Sequence, residues 1–224
     1  MRVIVIIAGT NDPSNSAMLA AAFTEGMREE GAEVDTVHLR EIELKHFTLD
    51  CYSGTYQHEP EFRRIQSLIE GAHGIVVATP IWNFGVPAHL KNLLDRMGSF
   101  AFDTTKLWGK LAGKPFYLIF TGGAPKTAWK GLMRITTRFV PEALKYFGAT
   151  YINCHYEPKC VIAKGNFGLV VDKRPESLAS LKRQGASFAK IVSHYAENGT
   201  LPLRKRLFRT LYSIGLRIVQ GKKA

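Results

Sequence analysis

Ile75-Val-Val-Ala-Thr79-Pro80-Ile81-Trp82-Asn83-Phe84-Gly85-Val86-Pro87-Ala88-His89-Leu90-Lys91-Asn92-Leu93-Leu94-Asp95-Arg96 decides the fold of this chain. The apolar run from Ile75 to Ala78 has the length and branching of a central parallel strand, buried on both faces. Pro80 has no N–H and ends the ladder. An aromatic loop, Trp82-Asn83-Phe84, follows, and Pro87 then opens a helix whose Leu90, Leu93 and Leu94 share one face. In open α/β sheets ligands bind beyond the carboxyl ends of the strands. This loop is therefore a candidate shelf for a flat, partly polar ring, although a strand-to-helix turn with two core aromatics would use the same residues.

A second loop points the same way. Met1 to Ala8 is a β-branched strand that ends in Gly9-Thr10-Asn11-Asp12-Pro13-Ser14-Asn15-Ser16, and Ala17 to Arg28 has helical character. Free N–H groups and the positive end of a helix dipole attract phosphate. Thr10, Asn11, Ser14, Asn15 and Ser16 can add hydrogen bonds without adding charge. The loop is neither Gly-x-x-x-x-Gly-Lys-Ser/Thr nor Gly-x-Gly-x-x-Gly, so it suits a terminal monophosphate better than a triphosphate or a dinucleotide. Simple N-capping by Ser14 or Ser16 is the competing explanation.

Outward from these loops the chain alternates strand and helix. Strands are expected over Glu33–Leu39, Gly74–Thr79, Lys114–Thr121 and Ala149–Cys154, and helices over Pro60–Gly71, Val86–Met97, Trp129–Phe147 and Pro175–Asn198. Five strands with crossover helices make a doubly wound parallel α/β sheet. In the strand order 2-1-3-4-5, the loops after strands one, three and four open together at the switch point. The third of these loops carries Thr121, Gly122 and Gly123, whose glycines let the backbone approach a ring edge and donate to it. A phosphate on the first loop and a ring between Pro80–Phe84 and Thr121–Gly123 describe flavin mononucleotide (FMN).

Composition bounds the remaining choices. The 224 residues are 46% hydrophobic, enough for one sizeable core. No stretch reaches the length of a membrane span, and Ile4–Ala8 is too short for a signal-peptide core, so a cytoplasmic protein is expected. Three cysteines, Cys51, Cys154 and Cys160, without a Cys-x-x-Cys pair, predict reduced thiols and no metal site. The formal net charge is +11, and residues 201–224 supply +7 of it with no acid, leaving +4 for the first 200 residues. Leu207, Leu211, Ile214 and Ile218 repeat at helical spacing there. The chain thus divides into a domain over 1–200 and a basic amphipathic helix over 201–224, which either packs on its own protein or lies on an anionic membrane. Nucleic acid is not expected as a partner, since the basic residues come without a matching fold or a stacking set of aromatics.

The segment Thr79 to Arg96 resembles the flavodoxin-like NAD(P)H-dependent oxidoreductases, a group containing FMN reductases, quinone reductases and azoreductases. Proline, aromatic loop, Pro87, Leu90-Lys91-Asn92 and Asp95-Arg96 carry the resemblance, with Gly9–Ser16 similar to the group's phosphate loop and Gly122-Gly123 also fitting. It covers residues 1 to about 155. The resemblance implies a flavodoxin-like fold, bound FMN, NADPH or NADH as donor, a quinone-like or other small acceptor, and a homodimer or homotetramer in which Phe100-Ala101-Phe102 covers a neighbour's ring. Hydride transfer borne by the flavin needs no side-chain acid or base, so no catalytic residue is assigned. In this reading His155 and Tyr156 are surface polar residues at a strand end, and Asp95-Arg96 is a structural ion pair or interface contact. One departure stands out: Asp12 occupies a loop in which such proteins often carry a basic residue. The alternatives are a flavodoxin-like electron carrier, opposed by the basic charge, and a non-catalytic regulatory module, as in ancillary subunits of some potassium-efflux systems.

Overall fold

A computed structural model describes residues 1–53, 59–103, 109–163 and 166–202. Five strands, β1 (Arg2–Ile7), β2 (Glu33–His38), β3 (Gly74–Pro80), β4 (Pro115–Thr121) and β5 (Thr150–Glu157), form one sheet. All neighbours are parallel, and the order is β2-β1-β3-β4-β5. The expected topology and strand positions are reproduced, with β5 running three residues further than the sequence pattern suggested.

Because side chains alternate across a strand, β1 sorts its residues onto two cores. Ile4 and Ile6 face a layer built from α2 (Pro60–Gly71), α3 (Ala88–Ala101) and α4 (Phe139–Tyr146), where they join Ile65, Leu90, Leu93 and Leu144. Val3, Val5 and Ile7 face α1 (Asn15–Glu29) and α5 (Pro175–Asn198), where they meet Leu19, Phe23, Phe188 and Val192. Strands covered on both faces have no polar side to show, which is why β1, β3 and β4 read as continuous apolar runs.

The expected long helix over Trp129–Phe147 is not continuous. The chain makes a helical turn at Lys126–Ala128, breaks at Gly131 (φ −89°, ψ −118°), and turns again at Arg134–Thr136 before α4 begins at Phe139. Glycine's low helix propensity and freedom to leave the helical region explain the break, which apolar spacing alone could not register. The segment over residues 203–224, which includes most of the expected basic helix, lies outside the described residues.

Helices α1 and α5 cross at two glycines. A Cβ on Gly26 would stand 1.9 Å from the Lys182 carbonyl oxygen, and one on Gly185 would stand 2.0 Å from that of Phe23. Lys182 Nζ then spans to Glu25 (2.6 Å) and Glu29 (2.7 Å) across the same crossing. In an open helix, Gly→Ala stabilises by about 1 kcal/mol. Here the methyl would strike backbone, so Gly26→Ala is expected to destabilise by about 2 kcal/mol, read as a lowered urea midpoint at unchanged slope.

Candidate functional site

The end of β1 delivers the first wall of the site. Ser14 caps α1 by accepting from the Ala17 N–H at 3.3 Å, and its Oγ lies 2.9 Å from Ser16 Oγ. Gly9 must be glycine for this loop to close, since a Cβ there would come within 2.3 Å of Ser14 Oγ and 2.5 Å of Ser16 Oγ. The backbone N–H groups of Gly9, Thr10, Asn11, Ser14, Asn15 and Ser16 meet no acceptor among the described residues. A helix start with free N–H groups and hydroxyls is a cradle for an anion. His89, in the first turn of α3, places Nε2 3.0 Å from the Ala8 carbonyl and ties the neighbouring helix to this strand end. Burial lowers the pKa of His89, against the opposing pull of that hydrogen bond.

Asp12, the acid that departs from the expected loop, is turned away and neutralised. Arg40, just after β2, donates to Asp12 Oδ2 at 2.9 Å and to the Asn11 carbonyl at 3.1 Å. The cation that such loops often carry in their own sequence is thus brought in from another crossover. Sequence spacing gave no sign of it, because 28 residues separate the pair.

The second wall is the end of β3. Pro80 is the last paired residue of β3, opposite Thr121, and the Ile81 N–H then donates to the Thr121 carbonyl at 2.7 Å. Trp82 and Gly85 exchange two backbone hydrogen bonds of 2.8 Å, closing a tight turn with Asn83 (φ 47°) and Phe84 (φ 66°) at its tip. Left-handed backbone is easy for asparagine and costs about 1–2 kcal/mol for phenylalanine. Asn83 and Phe84 are exposed at this tip and stand outside the cleft lining, which takes in their neighbours Pro80, Ile81 and Trp82.

Thr121, Gly122 and Gly123 form the third wall. The Gly122 N–H is not available to a ligand: it donates to the Glu157 carbonyl at 3.1 Å, and the Gly122 carbonyl accepts from Cys160 N at 2.9 Å. Gly122 is needed instead for packing, since a Cβ would come 2.8 Å from the Tyr156 hydroxyl. Together the three walls enclose a cleft of about 430 Å³, its mouth included, lined by Thr10, Asn11, Ser14, Asn15, Ser16, Pro80, Ile81, Trp82, Thr121, Gly122 and Gly123.

A strap after β5, unseen from the sequence, completes the cleft with Cys160, Val161, Phe167 and Gly168. Asn15 holds it. Its Nδ2 donates to the Gly168 carbonyl (3.0 Å), and its Oδ1 accepts from Val170 N (2.8 Å) and Val171 N (3.1 Å). Three of the four hydrogen bonds that the Asn15 side chain can make are thereby taken by the protein itself, so the side chain acts as a latch on the strap. Asn11 adds a 3.3 Å bond to the Phe167 carbonyl. The Phe167 ring stands edge-on to Trp82 at 4.7 Å, and Trp82 Nε1 is buried without a partner among the described residues.

The base of the strap is fixed by Glu157, only 4% exposed. It accepts from Arg174 (2.7 Å) and Ser177 (3.1 Å) and pairs with His155 Nε2 at 2.9 Å. Arg174 also donates to the carbonyls of Pro158 (2.7 Å) and Lys159 (3.0 Å). Burial pushes the Glu157 carboxyl up, but the hydrogen bonds from His155, Arg174 and Ser177 together outweigh it and leave the pKa below the ordinary value. His155 is therefore part of a structural network. Tyr156 is buried rather than at the surface, with its hydroxyl on the Ala124 carbonyl (2.8 Å) and its ring stacked on Trp129 at 4.6 Å.

Asp95 and Arg96 do not pair with each other. Asp95 pairs with Lys91 one turn earlier (2.6 Å), and the fully buried Arg96 pairs with Glu59 (2.8 Å) and donates to the Lys45 carbonyl (2.9 Å). Phe100 is buried in α3 near Phe62, whereas Phe102 stacks on Tyr146 and remains exposed.

Comparison with known proteins agrees with this geometry. A family model described as a flavodoxin-like fold matches residues 1–183. An FMN-dependent NADH:quinone oxidoreductase 2 of Burkholderia lata is 33% identical over 123 residues, 46% of this chain and 59% of that protein, so the match spans less than two thirds of its length. An FMN-dependent NADH:quinone oxidoreductase of Cellvibrio japonicus is 24% identical over 191 residues, 77% of this chain and 90% of that protein. Among solved structures, an NAD(P)H:quinone oxidoreductase from Methanothermobacter marburgensis aligns with a TM-score of 0.69 at 19% identity, covering 84% of this chain and 98% of that one. At that identity the likeness is one of fold.

Two outcomes test the strap. Asn15→Ala removes the acceptor of the Val170 and Val171 amides, and native-state hydrogen exchange should show both exchanging about tenfold faster while β1 and β4 keep their protection. Glu157, with its lowered folded pKa, stabilises above the ordinary carboxylate range, and that contribution is lost as pH falls through the folded value. Thermal midpoints should therefore drop below about pH 4 in the wild type. Glu157→Gln should lose about 3 kcal/mol at pH 7 and show a flatter acid limb.

Proposed function

This chain belongs to the family of flavodoxin-like fold whose model spans residues 1–183, and on that footing we propose that it is an FMN-dependent NAD(P)H oxidoreductase passing hydride to a quinone-like or other small acceptor. The observation that carries the reading is convergence. The free N–H groups and hydroxyls of Gly9–Ser16 share one cleft with the Pro80–Trp82 and Thr121–Gly123 backbones, which come from three separate strand ends.

The residues present fit FMN. A monophosphate needs several neutral donors, and Thr10, Ser14 and Ser16 provide hydroxyls beside the unpaired N–H groups of the α1 start. The acid of the loop, Asp12, is held by Arg40, so its charge is compensated. A flat ring with carbonyl and nitrogen acceptors would meet the unpartnered Trp82 Nε1. The enclosed part of the cleft is small, about 50 Å³, or room for one or two waters. The half-exposed Phe167 ring lines the cleft beside Trp82.

When bound, FMN supplies the redox chemistry, accepting a hydride from NAD(P)H and releasing it to an acceptor. The protein's part is binding, orientation and exclusion of water. Thr10, Ser14 and Ser16 would hold the phosphate end, Pro80, Ile81 and Trp82 would support the ring, and Gly123 would leave the backbone open to its approach. The strap held by Asn15 and Arg174 limits water at the mouth. We assign the assembly as a homodimer or homotetramer and the +7 segment over residues 201–224 to packing on the protein or to an anionic membrane surface.

The test is an absorbance spectrum after loading with FMN, followed by anaerobic NADH and NADPH in turn. Rapid bleaching by one nucleotide, with reoxidation by a soluble quinone, is expected and identifies the donor. Flavin bands that persist with both nucleotides would assign an electron carrier, and absence of binding would assign a regulatory module. Ser14→Asp with Ser16→Asp should lower FMN occupancy at least about a hundredfold, by setting carboxylates against the phosphate.

A further inference from the structure

A second cavity lies at the broken segment, with Trp129 and Gly131 in its lining. Leu118 and Phe120 of β4 and Tyr151 of β5 form its apolar floor. Had the segment continued as one helix, it would have covered this part of the sheet. Instead a cavity of about 370 Å³ opens beneath the broken turns, space for about a dozen waters at ~30 Å³ each. The volume is that of a small-molecule pocket, and the lining divides about evenly between apolar and polar surface.

Among the charged groups of the lining, four are cations and one, Glu142, is an acid. Residues 123–141 contain four cations and no acid. Lys130 and Arg134 line the cavity and form no ion pair among the described residues. Glu142, the acid at the edge, is shared between Arg138 (3.4 Å) and Lys145 (2.7 Å). Ile135, in the lining, is 70% exposed, and Leu132 of the same segment is 59% exposed, an unusual position for two large aliphatic side chains on one short segment. An apolar floor, an exposed aliphatic side chain in the lining and two cations without an ion pair among the described residues match a molecule with a long apolar body and one terminal anion.

We propose that this cavity binds a long-chain carboxylate, its hydrocarbon on Leu118, Phe120 and Tyr151 and its carboxylate between Lys130 and Arg134. The site is separate from the cofactor cleft, since the two linings share no residue; Trp129, in the lining of the second cavity, is stacked on Tyr156 at 4.6 Å and lies 5.0 Å from Phe120. It does not depend on the flavin reading. It also places an occupant against Trp129, whose stacking partner Tyr156 holds the Ala124 carbonyl beside the third wall of the cleft.

The experiment is isothermal titration of the full chain with dodecanoate below its micellar concentration, in saturating FMN, alongside dodecan-1-ol and dodecyltrimethylammonium. Saturable 1:1 binding of dodecanoate, with the cation failing to bind, is expected. The double variant Lys130→Glu, Arg134→Glu, at exposed positions where folding is not at risk, should weaken dodecanoate at least about tenfold while leaving dodecan-1-ol unchanged. Equal binding of all three amphiphiles, or unchanged dodecanoate affinity in the double variant, would overturn the proposal. So would loss of binding on adding FMN, which would place dodecanoate in the cofactor cleft. If dodecanoate fails to bind and Ile135→Glu converts a dimer to a monomer in size-exclusion chromatography, a second copy of the chain covers this face and the proposal is wrong.

Discussion

Parallel pairing of five strands is the constraint on which everything else rests. Parallel strands put all their carboxyl ends on one edge, and the order β2-β1-β3-β4-β5 sends the crossovers from β1 and β3 to opposite faces. The crevice between those departures is where Gly9–Ser16, Pro80–Trp82 and Thr121–Gly123 meet. The cleft needs no dedicated scaffold: any chain wound in this order has one. What this sequence adds is a set of residues small and polar enough to leave it open, with Gly9 on one wall and Gly122 on another.

The β-branched runs of β1, β3 and β4 were legible because burial on both faces leaves only apolar residues in them, and Pro60 and Pro175 announced α2 and α5. The cleft walls were legible too, since each wall immediately follows a legible strand. The contents of the walls were less so. Asn15 reads as a loop donor until the strap it binds, more than 150 residues away, is in view. Gly122 reads as a free donor until β5 is found to run far enough to take its N–H. The exposed tip at Asn83 and Phe84 is set locally, by the Trp82–Gly85 pair. For Asn15 and Gly122 the origin is one: a hydrogen-bonding group was counted as available when a partner distant in sequence had already taken it. Periodicity and spacing describe local structure and cannot register such claims.

The segment from Leu90 to Arg96, which contributed most to the family resemblance, gains its meaning from such long-range bonds. Asn92 Oδ1 accepts from Phe47 N at 2.7 Å, and its Nδ2 donates to the Lys45 carbonyl at 3.1 Å. Arg96 reaches the same Lys45 carbonyl at 2.9 Å, lies over the Phe62 ring at 4.1 Å and pairs with Glu59. Residues that look like functional polar groups therefore pin the irregular crossover between β2 and α2 onto α3. A guanidinium suits this place better than an ammonium, because one planar fork can serve a carbonyl, a carboxylate and a ring face together.

That arrangement links the resemblance to the cleft by mechanics rather than by chemistry. Helix α3 carries His89 at its start, bound to the end of β1, and Asn92 and Arg96 further along, bound to the crossover that follows β2. Arg40, at the beginning of that same crossover, holds the outer side of the phosphate loop through Asp12 and Asn11. The loop is therefore gripped from two directions, by α3 directly and by the crossover that α3 pins. A phosphate cradle of neutral donors binds well only if its N–H groups already converge, since each rotation frozen on binding costs affinity. The buried Arg96 contributes to that preorganisation without approaching the cleft. Motif residues of this kind can be indispensable to binding while touching no ligand.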